Sequence, residues 1–359
     1  MFRLLPALLL VPAVSGCFGA TGYRGVPSDH FDGRIFHNLP VAPQPGFGDF
    51  LRWTVGGGDI EWPDWVQTPQ SRPAGAALPR TIRITFVNHA TALIQLDGVN
   101  ILTDPVWSER VSPVSFAGPK RHKPPGIRFE DLPRIDAVLI SHDHHYHCDL
   151  VTLRRLWDRF HPRIYAGLGT AALLADADID GGVDLDWWSQ TTLGAGGITP
   201  VELVFAPAQH WSARGVSDRD RVLWGSFYLR GPSGSVYFAG DTGMGAHFAT
   251  IRERLGAPTV ALLPIGAYQP EWFMSPSHMS PAQAVSAHLA LRATTSVAIH
   301  WGTFDLADEG QYQPAGELTL ALDAQHIARR DFRILENGEL FDTSAQRDGN
   351  PDAATNRPK

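Results

Sequence analysis

The apolar residues of this chain fall into runs whose spacing marks secondary structure before any chemistry is considered. Ile82, Ile84 and Phe86 alternate with Arg83 and Thr85, the period of a strand. A second run, Ala92 to Leu96, is separated by Asp97-Gly98 from a third, Val99 to Leu102, which is a hairpin signal. Strand-like runs recur at 137–140, 203–206, 236–239 and 297–299, and the runs 223–229 and 236–239 flank Gly231-Pro232-Ser233-Gly234 as a second hairpin. Between them lie helical patterns. Leu150, Leu153, Trp157 and Phe160 share one helical face, with Asp149 placed to cap its start. Pro281 to Leu291 reads as a helix with Ser280 as cap and Pro281 at its first position. Residues 105–134, rich in proline and basic side chains, read as an irregular loop, and there is no repeat at solenoid spacing. Strands interleaved with helices predict an α/β layered domain rather than an all-β or bundle fold.

The flanks differ from this centre. From 18 to 79 prolines and glycines are dense, but Trp53, Trp62 and Trp65 bring too much apolar area for a free linker, so the stretch reads as an extended arm packed on a main domain of 80–341. The polar tail, 342–359, reads as disordered. Residues 1–17 carry Arg3, then an apolar run too short to span a bilayer comfortably, then small residues, the pattern of a signal peptide. Val14-Ser15-Gly16-Cys17 resembles a bacterial lipobox, which implies acylation of Cys17; Phe18 in the next position implies an outer-membrane lipoprotein facing the periplasm. Cys148 would then be the only free thiol, with no intramolecular disulfide. At 359 residues and 43% hydrophobic content, one large domain with extensions fits best. A net charge of −7 with no basic run argues against nucleic acid as a partner.

Chemistry concentrates in residues 141–149, where four histidines and two aspartates occur in nine residues. Imidazoles packed beside a core must stay neutral and find partners, and a metal satisfies both demands. Alternate residues in a loop leaving a strand can aim two rings at one ion. Three further strand-like runs end near His210, Asp241 and His300, completing a candidate ligand set.

His142-x-His144-x-Tyr146-His147 resembles the His-x-His-x-Asp-His signature of the metallo-β-lactamase fold superfamily, with Tyr146 where the family has Asp. Longer segments resemble the N-acylphosphatidylethanolamine-hydrolysing phospholipase D family: 102–108, Gly118-Pro119-Lys120-Arg121, Gln209-His210-Trp211, 222–226, 238–243, 264–268 and 299–304. The resemblance implies a four-layer αββα sandwich and two Zn2+ ions. It places His142, His144 and His210 on the first, His147 and His300 on the second, and Asp241 between them as bridging and catalytic carboxylate. It further implies an orienting role near the site for Asp104, a histidine required for activity at His278, and hydrolysis of a phosphodiester in an N-acylated phospholipid.

Tyr146 removes one charged ligand from the second metal, and His145 could replace it only if the loop shifted by one residue. A full two-metal site, a weak second metal and a single-metal site all remain open at this level. So do a hydrolase of the same fold acting on a lactone, lactam or soluble phosphodiester, and a non-catalytic lipoprotein. Trp272, Phe273 and Met274 are candidates for a lipid-facing groove. Oligomeric state stays open, a homodimer included.

Overall fold

A computed structural model of the chain describes residues 22–41, 45–58, 60–75, 81–114, 116–194 and 200–344. Cys17 and the signal segment lie outside the described residues, as does the tail beyond 344. In chain order the first elements are α1 (Phe47–Gly56), β1 (Ile82–Asn88), β2 (Thr91–Leu96), β3 (Val99–Thr103), β4 (Ala137–Ile140), α2 (Leu150–Phe160) and β5 (Arg163–Gly167). They are followed by α3 (Thr170–Asp176), β6 (Gly182–Leu185), β7 (Gln190–Leu193), β8 (Val201–Ala206), β9 (Ser226–Gly231), β10 (Gly234–Phe238) and α4 (His247–Leu255). The rest are β11 (Val260–Pro264), α5 (Glu271–Met274), α6 (Pro281–Leu291), β12 (Thr295–Ile299), α7 (Gln313–Ala324), β13 (Phe332–Arg333) and β14 (Leu340–Asp342).

The strands form two seven-stranded sheets, ordered β14-β1-β2-β3-β4-β5-β6 and β13-β12-β11-β10-β9-β8-β7. Side-chain alternation assigns the layers. Ile94, Ile101 and Leu139 of the first sheet share a core cluster with Leu203, Phe205 and Phe227 of the second. Their neighbours Leu93, Leu102, Val138 and Ile140 point the other way, onto Leu153 and Leu156 of α2 and Leu173 and Leu174 of α3. The second sheet's far face is covered by Phe248 and Ile251 of α4, Val285 and Leu291 of α6, and Leu318 and Leu322 of α7. The result is the expected αββα sandwich, and it explains why β2, β3 and β4 are buried along their whole length rather than on alternate residues.

Both anticipated caps are present. The Asp149 carboxylate accepts from the backbone N–H of Val151 and Thr152, and Ser280 forms a capping box with Gln283. The second hairpin begins later than the apolar pattern suggests, at Ser226. Residues 222–225 bend instead toward the first sheet's loops, where the Leu223 N–H donates to Leu168 O and the Gly225 N–H to Ser141 O. Asp342, placed above in the tail, ends β14 and pairs with Arg83 at 2.6 Å.

The arm packs on the domain through buried Phe31, Phe36 and Trp62. It is not wholly extended: α1 is a ten-residue helix. Its proline and glycines sit at or beyond the ends of the stretch Asp49–Val55, which contains neither. Asn38 ties the arm to the site, donating from Nδ2 to His210 O at 2.8 Å while its Oδ1 accepts from Trp224 Nε1 at 3.0 Å. Among the described residues no helix is long and apolar enough to cross a membrane.

Candidate metal centre

β1 and β3 each run antiparallel to β2, and β4 runs parallel to β3, so all three end on the same edge of their sheet. The same holds for β8, β10 and β12 in the other sheet. The residues that follow these ends therefore meet: His89 after β1, Asp104 after β3, the histidine loop after β4, His210 after β8, Asp241 after β10 and His300 after β12. Three of them, His89, Asp104 and His300, hold positive φ angles of 47°, 34° and 61°. Such conformations cost roughly 1–3 kcal/mol each and persist where the surrounding structure over-determines them. Gly240, also at positive φ, lets Asp241 approach the histidine loop, because a Cβ there would overlap the Ser141 side chain.

Hydrogen bonds set which ring nitrogen each histidine presents. Asp104 accepts from the Ser141 N–H at 2.7 Å and the Ser141 hydroxyl at 2.6 Å, and its Oδ2 also accepts from His147 Nδ1 at 2.6 Å. The Ser141 oxygen in turn lies 2.9 Å from His142 Nδ1, and His210 Nδ1 donates to Ser277 O at 3.0 Å. All three rings are thereby left with Nε2 facing inward. Both Asp104 oxygens are thus engaged by Ser141 and His147.

The inward atoms converge on Asp241. Its Oδ2 lies 3.0 Å from His300 Nε2, 3.1 Å from His147 Nε2, 3.9 Å from His210 Nε2 and 4.0 Å from His142 Nε2. His142 Nε2 and His210 Nε2 lie 2.8 and 3.4 Å from His144 Nδ1. Burial, then neighbouring imidazoles, push His142 and His144 well below the usual histidine range, and burial pushes His210 down to about 4. These rings are neutral at pH 7 and available as ligands. His147 is the exception: burial opposes its protonation, but the Asp241 and Asp104 carboxylates outweigh it and raise the ring to about 9. Burial would likewise raise Asp241, yet His147 and His300 hold it well below the carboxylate range.

The donor set fits metal. Both oxygens of Asp241, Nε2 of His147, and both ring nitrogens of His300 are buried with no hydrogen bond of good geometry. Orphaned polar atoms at this density are costly without a ligand, and N/O donors of this kind suit a first-row divalent ion. Two groups, His142/His144/His210 and His147/His300, flank one carboxylate.

Two residues of the histidine loop stand elsewhere. His145 faces Arg214, whose guanidinium lies 3.0 Å from its Nδ1 and whose carbonyl lies 3.1 Å from its Nε2, so it does not replace the missing carboxylate. Tyr146 turns its hydroxyl to within 3.1 Å of His144 Nδ1, and burial, then Asp241, hold its phenol well above the usual range, hence neutral. One residue escaped sequence reasoning: His89 is buried among His147, His300 and Tyr146. Its only signal was a position in the turn between two strand runs.

His278 lies in the turn after α5, its Nδ1 3.8 Å from Asp241 Oδ2. It and Tyr146 separate the cluster from a cavity of about 650 Å³ whose walls include Phe50, Trp53, Trp211, Phe273 and Met274. Trp272 of the same run does not line it and is 46% exposed.

Comparison with known proteins identifies the family. The family description "Beta-lactamase superfamily domain" matches residues 99–301. The chain is 37% identical over 270 residues to N-acyl-phosphatidylethanolamine-hydrolyzing phospholipase D 1 of Caenorhabditis elegans, covering 72% of this chain and 75% of that protein. It is 29% identical over 271 residues to a metal-dependent hydrolase of Methanopyrus kandleri, covering 73% of this chain and 100% of the relative. In fold it resembles Igni18, a metallo hydrolase from Ignicoccus hospitalis, with a TM-score of 0.53 at 24% identity, over 73% of this chain and 98% of that one. Sandwich, ligand cluster and relatives together assign the chain to the metallo-β-lactamase fold superfamily, as a metal-dependent hydrolase homologous to the N-acylphosphatidylethanolamine-hydrolysing phospholipase D proteins.

Proposed function

We propose that the protein is a zinc-dependent phosphodiesterase that cleaves an N-acylated phospholipid in the manner of a phospholipase D. The observation that carries this reading is a cavity with aromatic and Met walls that adjoins the histidine–aspartate cluster through His278 and Tyr146. Polar chemistry at one end and apolar area along the walls suit a substrate with a phosphodiester head and long acyl chains. His142, His144 and His210 would hold one ion and His147 and His300 the other, with the Asp241 carboxylate beside both groups. Zinc bound there supplies Lewis acidity toward a phosphoryl oxygen and toward water.

The chain's own groups do the rest. Asp104 and Ser141 fix the rings of His147 and His142, and the Ser277 carbonyl fixes His210. His278, at the boundary of cluster and cavity, can take a proton from the attacking water and pass it to the departing ethanolamide alcohol as the P–O bond breaks, leaving phosphatidic acid. An acylated Cys17 would hold this cavity at a membrane surface, where such a substrate resides.

Turnover by purified, metal-loaded protein tests the substrate class. N-acylphosphatidylethanolamine in mixed micelles should be cleaved with a higher kcat/KM than a soluble aryl phosphodiester. Shortening the acyl chains should lower it by up to about fourfold per methylene, the equivalent of about 0.8 kcal/mol. Equal efficiency on the soluble diester would remove the lipid from this account. Preferential opening of a lactone, the alternative left by the many chemistries one fold can host, would remove the phosphodiester as well.

A further inference from the structure

We propose that His89 is a ligand of the second metal and occupies the role that Tyr146 leaves vacant. This rests on the metal-hydrolase reading above but concerns a residue to which that reading gives no part. Without it the second ion has His147, His300 and the shared Asp241. The side chain at 146 adds nothing, because its hydroxyl lies toward His144 in the other ligand group.

His89 meets the requirements from a different strand. A ring nitrogen of His89 and ring nitrogens of His147 and His300 all lie within 4.8 Å of one another, and all three residues are buried. Adjacent vertices of a tetrahedral zinc site with metal–nitrogen bonds of about 2.05 Å are roughly 3.4 Å apart, so only small side-chain movements separate this arrangement from coordination. The His89 ring centroid is 4.0 Å from that of His300 and 5.2 Å from that of His147. Its Nε2 is buried without a hydrogen-bond partner, an expensive condition for a ring held so firmly.

The backbone fixes His89 from both sides. Its N–H donates to Thr303 Oγ1 at 3.1 Å, and its carbonyl accepts from the His300 N–H at 2.6 Å. This second bond couples the two rings directly, each on a residue with positive φ. The substitution also has a chemical consequence: a neutral imidazole replaces a carboxylate, leaving the centre one negative charge poorer than the family's ligand set.

Metal content and the visible absorption of bound Co2+ test this without recourse to activity. His89→Asn is the first variant, since asparagine tolerates positive φ, with circular dichroism confirming the fold. The parent should bind two Co2+ per chain. The variant should retain one with the absorption of the first site, and its second affinity should fall by more than about 100-fold, beyond the range typical of residues that only orient a ligand. Adding Tyr146→Asp to His89→Asn should restore the second equivalent with a carboxylate-shifted spectrum. Two tightly held Co2+ with an unchanged spectrum in His89→Asn would overturn the assignment, as would a parent that binds only one. In either case the metal-hydrolase reading would stand; a parent that binds none would overturn both.

Discussion

Asp241→Asn should release both metals and lower hydrolysis by more than the roughly 10–100-fold seen when a ligand's orienting partner is removed. Asp241 Oδ2 lies within 4.0 Å of ring nitrogens from both groups, those of His142 and His210 on one side and of His147 and His300 on the other. An amide keeps the shape but removes the charge that attracts two dications, in surroundings where low polarity strengthens every such interaction. The loss should appear in thermal unfolding too. A ligand at a thousand times its dissociation constant stabilises the folded chain by about 4.1 kcal/mol. The parent's Tm should therefore rise on adding Zn2+ and fall on chelation, whereas that of Asp241→Asn should respond to neither. An asparagine variant still stabilised by metal to the parent's extent would show that Asp241 is not the shared ligand.

His278→Gln is expected to lower kcat by about 10²–10⁴, the range for a positioned acid–base group, while leaving metal content intact. The side chain lines the cavity with its Nδ1 3.8 Å from Asp241 Oδ2, and burial pushes its ring well below the ordinary histidine range, so it is unprotonated at neutral pH. It also forms a compact group with His210 and Asp241, which makes a ligand role the competing reading. The two separate cleanly. Loss of kcat with full metal supports proton transfer, loss of metal would make His278 a ligand, and unchanged kcat would reduce it to cavity wall.

Most of the candidate cluster was legible in the sequence because each member follows an apolar run that ends on the same edge of the sandwich. His210, Asp241 and His300 are scattered along the chain, yet parallel strands bring their ends together. His89 was not legible, because a single histidine in a two-residue turn carries no spacing, and only the pairing of β1 with β2 puts it beside His300. Tyr146 was recognised as a departure, but its direction depends on a hydroxyl that reaches His144, which no pattern encodes. The helix α1 was missed because prolines and glycines around it masked seven residues free of both. Strands such as β2 and β4 were located, but their burial on both faces depends on two sheets and two helical layers meeting, which is a property of the whole fold.

The most direct test of the account follows metal and turnover together in one preparation. Purified chain should carry two divalent ions; chelation should abolish phosphodiester hydrolysis, and stepwise return of Zn2+ should restore it in proportion to sites refilled. Hydrolysis that continues undiminished in protein stripped of metal would contradict the central claim.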